Sequence, residues 1–179
     1  MPDLAPDFTH MTLSGMLAIV APLVEPGTVL LGSSLGGYLA ALAAERRPDR
    51  VRGLVLFAPA FGFAARWEAR LGPRGMAQWR ERGTTPVMHW GSGREAPLAF
   101  DLIADARRHP EVPDPPSPAL VFAGRRDETV PLEGVAAFVA RRPSARELVV
   151  LDAGHEMTEV VEPMWERTAE FLRRIGALA

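Results

Sequence analysis

Thr28-Val29-Leu30-Leu31-Gly32-Ser33-Ser34-Leu35-Gly36-Gly37-Tyr38-Leu39-Ala40-Ala41-Leu42 changes character in its middle. Its first residues are β-branched and aliphatic, the composition of a short buried strand over 28–32. From Leu35 the chain turns to Leu, Ala and Gly, which predicts a helix over 35–46, ended by Pro48. The turn between them, Gly32-Ser33-Ser34-Leu35-Gly36, fits G-x-S-x-G in the strand-to-helix context that gives this pattern meaning. Only Ser34 has a glycine two places before it and two places after it, so Ser33 is not the exposed hydroxyl. A turn this tight needs small neighbours, and Gly37 extends the room on the helix side. The Leu35 amide then lies at the helix N-terminus, placed to donate to a developing anion. The alternative is an ordinary Gly/Ser-rich turn.

Further strands are predicted over 51–58, 119–123 and 146–151, each an apolar run bounded by proline or polar residues. Helices are predicted over 132–142, closed by Pro143, over 160–175, followed by Gly176, and over 11–24, with Thr9 or Thr12 near its start. Strands apolar on both faces and separated by helices predict an α/β protein: a mostly parallel sheet with helices on both faces. Residues 61–118 break this rhythm. They hold Trp67, Trp79 and Trp90, several glycines and the proline-rich exit Pro113 to Pro118. A connection this long usually carries structure of its own. It reads as a cap inserted into a single domain spanning 1–179, with one or two short helices.

The composition narrows the chemistry. With 179 residues, one domain is expected. A net charge of −2 leaves no basic surplus for nucleic acid or an anionic membrane. There are no cysteines, so disulfides, thiol catalysis and cysteine metal sites are excluded. Met1 to His10 lacks the basic start and apolar core of a signal peptide, and no apolar run approaches the ~20 residues of a membrane span. A cytoplasmic protein without a cofactor or metal is expected.

A serine hydroxyl needs a base, and in this architecture the order is Ser, acid, His. His155, in Asp152-Ala153-Gly154-His155-Glu156 after the fourth strand, is the candidate base. Asp127, in Gly124-Arg125-Arg126-Asp127-Glu128-Thr129-Val130-Pro131 after the third, is the candidate acid, because its loop leaves the same sheet edge. Glu128 is its rival and Asp105 a weaker one; Asp152 and Glu156 sit too near His155 in sequence to bond its ring. His10 and His109 read as exposed or structural. Phe61, Phe63, Trp67, Trp79, His89 and Trp90 are candidates to line an apolar acyl pocket, the alternative being that the aromatic rings only pack the cap.

These motifs, with Phe8-Thr9-His10-Met11-Thr12 and Leu56-Phe57-Ala58-Pro59-Ala60, resemble the small bacterial esterases of the α/β-hydrolase superfamily, the YqiA-like group and the broader serine-aminopeptidase-like hydrolases. The resemblance runs over essentially the whole chain. It implies hydrolysis of a small-molecule carboxylic ester or thioester through an acyl-enzyme, with Ser34, Asp127 and His155 in the triad roles. A catalytically weak or inactive binding protein of the same shape, and a peptidase, are the alternatives. One departure stands out. Family members carry an earlier strand with a His-Gly loop that supplies a second oxyanion donor, and this sequence starts after it. The expected fold is N-terminally truncated; either the native chain starts earlier than this sequence, or the short form is real and strand 28–32 lies at an open edge through which copies of the chain can associate. Loss of one oxyanion donor costs about 100–1,000-fold in turnover.

Overall fold

The computed structural model describes residues 7–89 and 92–179. In chain order its first elements are α1 (Leu13–Val20), β1 (Thr28–Ser33), α2 (Leu35–Arg46), β2 (Val51–Phe57) and α3 (Phe63–Arg82). They are followed by β3 (Thr84–His89), β4 (Arg94–Ala99), α4 (Asp101–Ala106), β5 (Ala119–Gly124), α5 (Leu132–Ala140), β6 (Arg146–Leu151) and α6 (Val161–Arg174). The chain divides into two compact units. One gathers the described residues through Leu23 with Gly62–Glu111, and the other holds Val24–Phe61 and Val112–Ala179. Among the described residues no helix is long and apolar enough to cross a membrane.

The second unit is built on a parallel sheet in the order β1-β2-β5-β6. Leu54, Val55 and Leu56 are consecutive, so their side chains alternate between faces, yet all three are fully buried. Helices therefore cover both faces, as the apolar runs predicted. On one face Val55, Leu120 and Phe122 pack against Met164 and Phe171 of α6. Residues 37–44 of α2 are buried without interruption. Gly37 lets the start of the helix lie close, since a Cβ there would meet Pro59 at 3.1 Å. β1 is the edge strand of this sheet, and its Leu31 is 55% exposed.

The proline-rich return into the sheet is tied down electrostatically. The Asp114 carboxylate accepts from both Arg142 and Arg146. The Arg146 side chain is fully buried; it also donates to the Phe138 and Pro115 carbonyls and lies 3.8 Å over the Phe138 ring. A buried guanidinium is tolerable only with such partners.

Sheet pairing continues past the strand ends. Ser34 N–H donates to Phe57 O, Ala58 N–H to Phe122 O, Arg125 N–H to Leu151 O and Arg126 N–H to Ala153 O. The loops after β1, β2, β5 and β6 are thus laced together at the C-terminal edge. Gly124 lies where the last two meet, and a Cβ there would stand 2.7 Å from the Gly154 carbonyl oxygen.

The first unit departs from the sequence reading. Beyond the one or two short helices expected, whose place is taken by the two segments of α3 on either side of Gly72, the unit holds an antiparallel β3–β4 hairpin and a short α4. α3 bends at Gly72 (φ 63, ψ 176), and Pro73 opens its second half, where a missing N–H costs nothing. The hairpin escaped notice because proline argues against a strand, and here Pro86 faces Pro97 across it. The helix expected over 11–24 is regular only to Val20, with Thr12 as its N-cap.

α1 belongs to this unit and is fastened to α4. Asp105 accepts the Ser14 N–H at 2.7 Å and its hydroxyl at 2.7 Å, and Ser14 Oγ lies 3.0 Å from His109 Nε2. Burial raises the Asp105 pKa, but the Ser14 amide and hydroxyl and His109 outweigh it and hold the carboxyl below its ordinary 3.8.

Two tests follow from these contacts. Gly124→Ala is expected to destabilise the fold by about 1–3 kcal/mol, because the contacts are backbone and cannot yield. Gly134→Ala, in α5 with open space at its Cβ, should instead stabilise by about 0.5 kcal/mol; denaturant titration of both variants reads the opposite signs. Asp105→Asn should cost about 1–3 kcal/mol at pH 7. Since the folded pKa is depressed, this contribution exists above 3.8 and disappears as pH falls through the folded value. Melting curves of wild type and variant should therefore converge on acidification below pH 3.8.

Candidate active site

Ser34 has φ 51 and ψ −119, a conformation that side-chain-bearing residues rarely adopt. Its backbone is held on both sides: its N–H donates to Phe57 O, and its carbonyl accepts from Gly37, Tyr38 and Ala60. The turn requires glycine at 32, where a Cβ would stand 2.5 Å from the Gly36 carbonyl carbon and 2.7 Å from Gly37 N. The result lifts the Ser34 side chain out of both the strand and the helix. At the start of α2, no backbone carbonyl among the described residues accepts the Leu35 N–H.

Asp127 sits on the loop after β5. Its Oδ1 accepts the Thr129 and Val130 N–H groups, each at 2.8 Å, which fixes the carboxylate while leaving Oδ2 free. Oδ2 stands 2.8 Å from His155 Nδ1. His155 Nε2 stands 3.0 Å from Ser34 Oγ. The Asp127 side chain is 1% exposed and that of His155 25%, so the carboxylate is sealed while the ring reaches solvent. An ionised carboxylate only accepts, so Nδ1 carries the proton and Nε2 offers its lone pair to the Ser34 hydroxyl. The three residues come from loops after β1, β5 and β6 and meet in one hydrogen-bonded row.

Glu128 is exposed. Asp152 pairs with Arg126 at 3.1 Å. Asp105 and His109 form the cluster on Ser14, and His10 pairs with Asp7. Phe61, in the sheet unit, is buried between Tyr38 and Phe138. In the other unit Phe63, Trp67, Trp79 and Phe100 form a chain of ring contacts. Trp79 is 2% exposed and gives its indole N–H to Leu98 O. His89 packs on Phe8 and bonds the Ser92 hydroxyl. Trp90 lies outside the described residues. Among the described residues no group of three or more His, Cys, Asp or Glu is arranged to hold a metal.

Sequence reasoning missed three contributors. Gly124 lets the acid and histidine loops touch; a glycine at the end of a strand is a signal for such close approach. Ala58, at φ 41, and Glu159, whose Oε1 accepts the Gly154 N–H at 3.3 Å, carried no signal.

Comparisons place the chain among known proteins. It is 28% identical over 185 residues to the pimeloyl-[acyl-carrier protein] methyl ester esterase of Xanthomonas axonopodis pv. citri (strain 306), covering 83% of this chain and 71% of that one. Est1E from Butyrivibrio proteoclasticus superposes with a TM-score of 0.73 at 24% identity, over 93% of this chain and 72% of that one. Mouse alpha/beta hydrolase domain-containing protein 10 gives 0.75 at 20% identity, over 95% and 72%. The fold is that of the α/β hydrolases. The model of an uncharacterised protein family, UPF0227, matches residues 2–172, and the chain belongs to that family.

Proposed function

We infer that this protein is a serine hydrolase that cleaves carboxylic esters or thioesters through an acyl-enzyme. The observation that carries this reading is the row Ser34 Oγ, His155 Nε2, His155 Nδ1, Asp127 Oδ2, with gaps of 3.0 and 2.8 Å. The likeness to a methyl ester esterase supports the ester class.

In this mechanism Ser34 Oγ attacks the acyl carbonyl carbon while its proton passes to His155 Nε2. The carbonyl electron pair moves onto oxygen, where the Leu35 N–H donates to it. As the tetrahedral adduct collapses, its bond to the leaving oxygen or sulfur breaks. The leaving group departs with the proton from Nε2. Water then repeats the sequence on the acyl-Ser34 ester: its proton goes to Nε2, its oxygen bonds the carbonyl carbon, and Ser34 Oγ recovers the proton. Asp127 keeps the proton on Nδ1 and stabilises the imidazolium that forms at each step.

A fluorophosphonate probe tests the reading. Wild type should be labelled and Ser34→Ala should not. No labelling of wild type beside a reactive control hydrolase, or labelling that persists in Ser34→Ala, sinks it. With p-nitrophenyl acetate, Asp127→Asn should lose on the order of 10⁴-fold in kcat, because the wrong ring tautomer results.

A further inference from the structure

The backbone pairing that laces the acid loop to the histidine loop stops at Ala153, two residues short of His155. The Gly154 N–H is met instead by a side chain, Glu159 Oε1 at 3.3 Å. Glu159 sits on the 3-10 turn Thr158–Val160, between His155 and α6. Arg126, next to Asp127 in sequence, reaches the same loop. Its Nη2 donates to Asp152 O at 2.8 Å and lies 3.9 Å from Glu159 Oε1, while its Nε is 3.1 Å from Asp152 Oδ1. One guanidinium from the acid loop thus grips the histidine loop on both flanks of the Ala153–His155 segment. The Glu159 carboxyl is held below the usual value by its own amide first and then by the Gly154 amide, so it is ionised at neutral pH.

We propose that Glu159, steadied by Arg126, is a positioning residue for His155: it fixes the Gly154–His155 peptide so that Nε2 meets Ser34 Oγ. This rests on the serine-hydrolase reading above. The alternative is a surface ion cluster of no consequence. Arg126 and Glu159 have side chains 61% and 49% exposed, so the pair adds little to stability. Its value lies in geometry, because small displacements of a base cost rate far out of proportion to the energy of the contact.

The experiment measures the second-order rate of fluorophosphonate labelling of Ser34, kcat and KM for p-nitrophenyl acetate, and Tm. Glu159→Ala should label about 5–20-fold more slowly, with kcat lowered to match and KM unchanged. Its Tm should stay within about 2 °C of wild type. Glu159→Gln keeps an acceptor for the Gly154 N–H and should stay within about twofold. Arg126→Ala should fall between the two. Equal labelling of wild type and Glu159→Ala overturns the proposal while leaving Ser34 as nucleophile. Equal losses in Glu159→Ala and Glu159→Gln overturn the hydrogen-bond account. A wild-type rate in Arg126→Ala removes Arg126 from it. A wild type that the probe does not label overturns the catalytic reading, and this one with it.

Discussion

The hydrogen bond from Ser34 N–H to Phe57 O, at 2.8 Å, extends the β1–β2 ladder one residue beyond β1, and the site depends on that extension. It anchors the near side of Ser34 in sheet geometry while α2 begins on the far side, where the Ser34 carbonyl accepts from Gly37 and Tyr38. Between these two anchors Ser34 is held at φ 51. Gly32 permits this because its missing Cβ is where the first turn of α2 must pass. The same lacing, through Ala58, Arg125 and Arg126, ties the other three loops to the first. Asp127 and His155 are thereby registered against Ser34 by a rigid parallel sheet.

The strain has a pattern. Among the described residues the non-glycine positions with positive φ are Ser34, Ala58 and Met157. They follow β1, β2 and β6, all on the edge where the Ser34–His155–Asp127 row lies. Each such residue costs of order 1–3 kcal/mol and persists only where its surroundings over-determine it. Met157 is 1% exposed within the cluster beneath α6, and Ala58 is 1% exposed and bonded to Phe122 O. Core packing thus holds the histidine loop from below, while exposed polar groups hold it from outside.

Two Ser–His–Asp groups occur among the described residues, and hydrogen-bond direction separates them. In the row at the sheet edge the imidazole stands between serine and carboxylate, so the serine hydroxyl points at a lone pair. In the α1–α4 cluster the Ser14 hydroxyl stands between Asp105 and His109. Its proton goes to the depressed, ionised Asp105, and its oxygen is left to accept from His109. The first arrangement is the one the proposed chemistry requires; the second fastens two helices.

The parallel α/β core is legible in the amino-acid order, because apolar runs such as Ala119–Gly124 need cover on both faces. So is the Gly32–Ser34–Leu35 turn, because steric demands act over a few neighbouring residues and leave a local signature. The sequence order of Ser34, Asp127 and His155 singled out three candidates, but their meeting was a matter of register between strands, which only the folded chain specifies. Asp127 rather than exposed Glu128 faces His155 because the Thr129 and Val130 amides turn its carboxylate inward. The β3–β4 hairpin was hidden by Pro86 and Pro97, which are tolerable in a two-stranded ribbon and misleading as local signals. The placement of α1 with the insertion, through Asp105, and the tethering of Gly154 by Glu159 likewise depended on tertiary structure. Both rest on single side chains meeting backbone amides across a fold, and nothing in local composition encodes such meetings.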